Sequence, residues 1–237
     1  MWNGVDIHTE NQKYFQFPGY EHIGIDKDKA AGGRLTAKTF LFRLIYGGSA
    51  FSYANDTDFT HISTSQKYWQ DIIDATYNKY KGLAKWHKQL VQTVTLTGKI
   101  RAPSGREFHY KPEMKRGEMV WPRTTILNYI VQGYSADLVS LARVSSWRRL
   151  KEQREANKVI FFNTVHDDLE VDVANDSELL YNTCVTLEES FADVPRNVEK
   201  IYGYRMKVPI AGEVSFGNNL AKMKEFHINK GVEQFVL

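Results

Sequence analysis

The sequence predicts an α+β fold: a helical first half, then an antiparallel hairpin packed with helices. Two observations carry this. Apolar residues recur at helical spacing in three long stretches, 34–48, 63–94 and 124–154. The run Val159–Val173 instead alternates about a tight acidic turn, as two antiparallel strands do. At 237 residues the chain is one large domain or two small ones, long enough for a real core. Apolar residues make up 42% and aromatics 13%, a globular composition. Cys184 is the single cysteine, which excludes an internal disulfide and fits a reducing compartment. No signal peptide, bilayer-length apolar run or low-complexity tract is visible. The first half is mildly basic, with 17 Lys+Arg against 12 Asp+Glu in residues 1–120; residues 121–237 hold 14 against 16. A polyphosphate partner for the first half is compatible with this but not demanded by it.

Taken in order, residues 1–33 are broken by Pro18, Gly19, Gly24, Gly32 and Gly33 and read as loops with brief helical pieces. A helix follows over 34–46. Ala37, Phe40, Leu41, Leu44 and Ile45 form its core stripe, and Gly47-Gly48 stops it. Arg34, Lys38, Phe42 and Tyr46 recur every four residues and line a second face, cations first and aromatics after. Cations in a first turn oppose the macrodipole unless an anion joins them, when amides and cations act on it together. An aromatic two turns on can stack on a flat ring. Periodicity leaves two readings open: a ladder for a triphosphate and its base, or a solvated basic turn beside half-buried aromatics.

Ser63-x-x-Gln66 has capping-box spacing and opens a helix to about Val94, with Trp69, Ile73, Thr76, Tyr80, Leu83 and Leu90 on its inner face and Gly82 as a weak point. This helix reads as scaffold. Residues 95–111 read as a hairpin with turns at Thr97-Gly98 and Pro103-Ser104-Gly105, carrying Arg101 and Arg106. The helix over 124–154 turns Leu127, Ile130, Val131, Leu138 and Leu141 inward and carries Asn128 and Gln132. Such amides can donate to the minor-groove acceptors all base pairs share, or simply be solvated. His166-Asp167-Asp168 forms the tip of the predicted hairpin. Adjacent acids repel unless water or a cation relieves them, and hard carboxylate oxygens suit Mg²⁺. A solvated acidic turn is the other reading. Asp176 is placed to cap a helix to about Phe191, and 204–216 reads as a closing strand pair.

Arg34-x3-Lys38-x3-Phe42-x3-Tyr46-Gly47 resembles motif B of family A DNA polymerases, the fingers helix that grips the incoming nucleotide. His166-Asp167-Asp168 resembles their motif C, usually His-Asp-Glu. Asp6-Ile7-His8, Gly98-x-x-Arg101-x-x-x-Gly105-Arg106 and Asn128-x3-Gln132-Gly133-x-x-Ala136-Asp137 are similar to further family segments. The resemblance implies part of a right-hand polymerase: helical fingers over 1–117 and the later palm, an antiparallel sheet with packed helices, over 118–237. It implies Asp167, Asp168 and Lys38 as catalytic residues. Arg34, Lys38, Phe42, Tyr46 and His8 would bind the dNTP, and Asn128, Gln132, His166, Arg101 and Arg106 the primer-template DNA. Asp167 would be a ligand of two Mg²⁺ ions. This chain departs from the pattern at Asp168, one methylene shorter than Glu, and at Thr124, where the family often has Arg; Arg123 stands one place early.

The Asp-Tyr-Ser-type segment of motif A and the thumb are not found in the sequence. The expectation is therefore the C-terminal subunit of a split polymerase, as phage genomes sometimes encode. An N-terminal polypeptide would bring motif A, the second aspartate and the thumb. Its expected place is the cytoplasm, of a bacterial host if phage-encoded, with no membrane partner. Two alternatives stand beside it: a non-catalytic DNA-binding or assembly subunit of a replication complex, and a piece of a single-subunit RNA polymerase. Phe42 and the Asn128–Gln132 helix favour DNA over RNA synthesis.

Overall fold

The structure, a computed structural model, describes residues 6–18 and 27–235. The fold is mixed: helices with small antiparallel ladders. Two compact units are present, one of residues 1–100 with 107–131, the other of 101–106 with 132–237.

The first unit begins with α1 (Ile7–Phe15) and α2 (Lys27–Ile45). The stripe expected of α2 is buried as Ala37, Phe40, Leu41 and Leu44. It packs into an aromatic core with Phe15, Phe17, Tyr53, Phe59 and the fully buried Trp69. The start of α2 differs from expectation. The helix runs through Gly32-Gly33 from Lys27, so Arg34 stands about two turns inside it. The dipole acts only over the first turn, so it does not act on Arg34. Two glycines weaken a helix by about 1 kcal/mol each against alanine, yet the helix continues through them, with Gly33 buried. Gly19, Gly24 and Asp26 lie outside the described residues.

After α3 (Ala50–Asn55), the single helix expected to Val94 is two, α4 (Gln66–Lys79) and α5 (Lys81–Thr97). The break is at Tyr80, with φ −111° and ψ 64°, not at Gly82. At the break the chain is held to α1: Tyr80 Oη and Lys79 Nζ both donate to Oδ1 of buried Asn11, at 2.6 and 3.0 Å. The N-cap of α4 is Ser65, whose Oγ accepts from Tyr68 N. Ser63 instead takes Ser65 N and the indole of Trp69. Thr97-Gly98 ends a helix rather than turning a hairpin: Gly98 is left-handed and donates to Val94 O. β1 (Lys99–Arg101) pairs with β2 (Glu107–His109), and β3 (Glu113–Lys115) with β4 (Glu118–Val120).

The long α6 (Arg123–Glu152) begins in the first unit and continues in the second. There β5 (Val159–Val165) and β6 (Asp168–Val173) form the expected hairpin, with a bulge between Phe161 and Asn163. Its apolar run is not wholly buried: Val159 is, but Ile160 and Phe162 are 62% and 53% exposed. α7 (Ser177–Ala192) starts as predicted, Asp176 accepting from Leu179 N at 2.9 Å. α8 (Val194–Tyr202) follows. The closing strand pair lies later than expected, β7 (Ser215–Phe216) against β8 (Lys224–Glu225). Pro209 lacks a ladder donor, and Gly212 lies so close to the Phe191 ring that a Cβ would sit 3.0 Å from it. That segment is pressed onto α7 instead of pairing. A 3₁₀ segment, Ile228–Phe235, ends the described chain and packs Phe235 on Phe216 and Phe226.

Candidate functional site

The α2 face assembles as the four-residue spacing requires. Lys38 Nζ lies 5.9 Å from the centroid of the Phe42 ring. Phe42 and Tyr46 are stacked at 6.4 Å. Phe42 stays 40% exposed, so its ring remains open to a partner. His8 comes from α1 and sets its ring 5.8 Å from Phe42. Burial pushes the His8 imidazole below the ordinary histidine value, against the upward pull of Asp6. Its Nδ1 is buried with no partner among the described residues. Arg34 opens the face, and its Nε donates to Asp6 at 2.5 Å. Arg34, Lys38, Phe42, Tyr46 and His8 are thus brought together on one surface of the first unit.

The helix end beneath this face is fixed by two glycines. Gly47, at φ +90°, donates to Leu44 O, and Gly48 donates to Arg43 O at 2.7 Å. A Cβ on Gly48 would sit 2.8 Å from Tyr53 Oη and 2.9 Å from Arg43 O. Tyr53 Oη in turn donates to Phe40 O at 2.9 Å. The close approach that glycine permits here holds the last turn of α2, and so Phe42 and Tyr46, against the core.

On α6, Asn128 is half-buried and Gln132 exposed, four residues apart on one side of the helix. Asn128 Oδ1 is buried with no partner among the described residues. Arg123, one place before the position where the family often has Arg, hydrogen-bonds Tyr77, whose hydroxyl lies 3.0 Å from His87 Nδ1.

In the second unit His166, Asp167 and Asp168 form the exposed tip of the β5–β6 hairpin, with Val165 opposite Asp168. His166 takes a left-handed φ of 54°, which turns the chain in two residues. Both carboxylates line a cleft of about 660 Å³, together with the apolar Leu138, Phe162, Leu187 and Phe191 and the acidic Glu170 and Glu213. Among the described residues no group of three His, Cys, Asp or Glu side chains is placed to hold a metal. The Asp167–Asp168 pair still fits Mg²⁺ as part of a ligand set, since that ion takes one or two carboxylates and completes its shell with water and phosphate. Arg106, expected at a nucleic-acid backbone, has its Nε and Nη2 on Asp137, the latter at 2.5 Å. Ser104 donates to the same carboxylate. Arg101 is exposed.

A family model described as DNA polymerase family A matches residues 1–222. The chain belongs to DNA polymerase family A. Within that family it is similar to DNA polymerase I of Caldicellulosiruptor bescii, 24% identical over 225 residues, covering 94% of this chain and 24% of the relative. DNA polymerase I of Pseudomonas aeruginosa is 31% identical over 160 residues, covering 66% of this chain and 17% of the relative. The chain therefore spans about a quarter or less of the length of these curated relatives. Among solved structures, the POL domain of Pol1 from M. smegmatis, in complex with DNA primer-template and dNTP, superimposes with a TM-score of 0.67 at 17% identity. The match covers 87% of this chain and 33% of that one. The likeness shows that this family A chain has the fold of part of a polymerase domain.

Sequence reasoning missed two carboxylates. In the sequence Asp137 stands only as part of a helix segment, because its partners Arg106 and Ser104 lie over 30 positions away. Asp6 was assigned no role. One signal was available for it: an Asp before Ile7-His8-Thr9 has the look of an N-cap.

Proposed function

We propose that this chain is the nucleotide-gripping part of a DNA-templated DNA polymerase, with fingers over 1–117 and later palm over 118–237, and that it works with a second polypeptide. The observation that carries the reading is the α2 face, where Arg34, Lys38, Phe42 and Tyr46 are joined by His8 from α1. Arg34, Lys38 and His8 bind the triphosphate of the incoming dNTP, and the exposed Phe42 ring and Tyr46 meet its sugar and base. Asn128 and Gln132 lie against the primer-template minor groove, where amides read pairing shape without reading sequence. Arg101, Arg106 and His166 support the nucleic-acid backbone; Arg106 does so while Asp137 orients it. Asp167, with Asp168 beside it, would hold Mg²⁺, and that ion would supply charge neutralisation at the transferring phosphoryl group. The tip brings one carboxylate cluster, and two-metal chemistry needs a second, so the missing aspartate and the thumb come from the partner, as in a split phage polymerase.

The test is reconstitution. The purified 237-residue chain should not extend a primed template with Mg²⁺ and four dNTPs. A polypeptide bearing the Asp-Tyr-Ser-type motif should form a stable complex with it and restore extension. Asp167→Ala should then abolish extension while leaving primer-template affinity intact. Extension by Asp167→Ala within about tenfold of wild type, a barrier change of only about 1.4 kcal/mol, overturns the metal assignment. Extension by the chain alone overturns the split reading. A complex that binds DNA but never extends it supports the non-catalytic assembly subunit.

A further inference from the structure

We propose that Asp6 is a positioning residue of the triphosphate-binding end of the α2 face: it grips Arg34 through Nε and fixes the start of α1, so that Arg34, Lys38 and His8 converge on one polyphosphate. The inference rests on the nucleotide-binding reading of that face. Asp6 does two jobs with its two oxygens. Oδ1 accepts His8 N at 3.1 Å and caps α1. Oδ2 accepts Thr9 Oγ1 at 2.7 Å and Arg34 Nε at 2.5 Å. The far end of α1 is anchored independently, Phe15 lying edge-on against Phe40 of α2 at 5.0 Å. α1 is therefore tied to α2 at both ends, by aromatic packing at one and by this carboxylate at the other. The tie at the Asp6 end sets where the His8 ring stands beside Phe42.

The geometry separates a positioning role from a competing one. A carboxylate standing in for phosphate would take the guanidinium fork bidentately, through two parallel N–H donors, as Asp137 takes Arg106 through Nε and Nη2. Asp6 meets Nε, one of five donors, and the four terminal N–H groups are not engaged by it. Arg34, then Thr9, hold the Asp6 carboxyl well below the usual carboxylate range, so the tie stays charged wherever a polymerase works. The pair is half exposed, within reach of a soluble nucleotide.

The experiment is dATP binding with Mg²⁺ to the full chain, by calorimetry, for wild type, Asp6→Asn, Asp6→Ala, Arg34→Lys, Arg34→Ala and the Asp6→Asn/Arg34→Lys double variant. Asn caps a helix as well as Asp does, so Asp6→Asn removes the charged grip and keeps the cap; circular dichroism checks that helix content is unchanged. Asp6→Asn should weaken dATP binding about five- to tenfold, and the double variant should be no weaker than the weaker single, as coupled residues behave. Asp6→Ala should be weaker still because it also frees the start of α1. If Arg34→Ala weakens binding but Asp6→Asn stays within about twofold of wild type, Asp6 has no positioning role. Tighter binding by Asp6→Asn also overturns the proposal, since it makes Asp6 a competitor of phosphate. If Arg34→Ala leaves dATP binding unchanged, the nucleotide-binding reading itself fails and this inference with it.

Discussion

At the scale of single residues, the ring of Phe42 is the informative position. It is exposed, it stacks with Tyr46, and a cation and an imidazole border it. On the proposed reading, which follows its likeness to the family's motif B, this position would meet the nucleotide sugar, where a tyrosine hydroxyl can stand in for a missing 3′-OH and phenylalanine cannot. The reconstituted wild type should therefore discriminate against dideoxynucleotides, and Phe42→Tyr should relax that discrimination. Competition between deoxy- and dideoxynucleotides on one template measures it; equal discrimination by both proteins removes Phe42 from the sugar subsite. The residues of this face were legible in the sequence because four of them share one helix, and helical spacing alone brings them together. Asp6 was not legible in its second role. Its partner Arg34 lies 28 residues away, and no local rule of spacing reports a contact across that distance.

At the scale of elements, α2 shows how a helix end can be over-determined. Gly47 takes a left-handed φ, and Gly48 is wedged between the Arg43 carbonyl and the Tyr53 hydroxyl. Gly48→Ala should lower stability by about 1–3 kcal/mol, because the atoms it meets include backbone that cannot swing aside. Urea unfolding measures this, and a midpoint within error of wild type would mean the last turn yields freely. Gly47-Gly48 as a stop, the acidic hairpin and the Asp176 cap were all readable, since each follows from short-range chemistry. The break at Tyr80 was not, and the contact that accompanies it is with buried Asn11, 69 residues away on another helix. Nor was the late strand pair: 204–214 looks extended in sequence, but Pro209 and the contact of Gly212 with Phe191 withhold it from a ladder. The exposure of Ile160 and Phe162 was hidden in the same way, since an apolar run reports hydrophobicity and not what covers it.

At the scale of the whole molecule, the sheet content is divided. Among the described residues the strands pair two by two, so each has one bonded neighbour and one open side. The sequence made the β5–β6 hairpin legible, but not that it would stand as a pair, since strand count depends on partners that no alternation pattern names. An isolated pair of strands is marginal in water, and open edges invite association. In an antiparallel pair, roughly every second amide of a strand bonds inward and the rest point out to solvent. That gives the β5–β6 hairpin a parity that hydrogen exchange can read. In the chain alone, slow and fast amides should alternate along both strands, with the beat slipping at the bulge near Phe162. If the second polypeptide completes this sheet, the fast set of one strand, and only one, should become slow on complex formation. Which strand changes beat identifies the seam between the two proteins; if neither changes, the partner docks elsewhere and the hairpin keeps both of its margins.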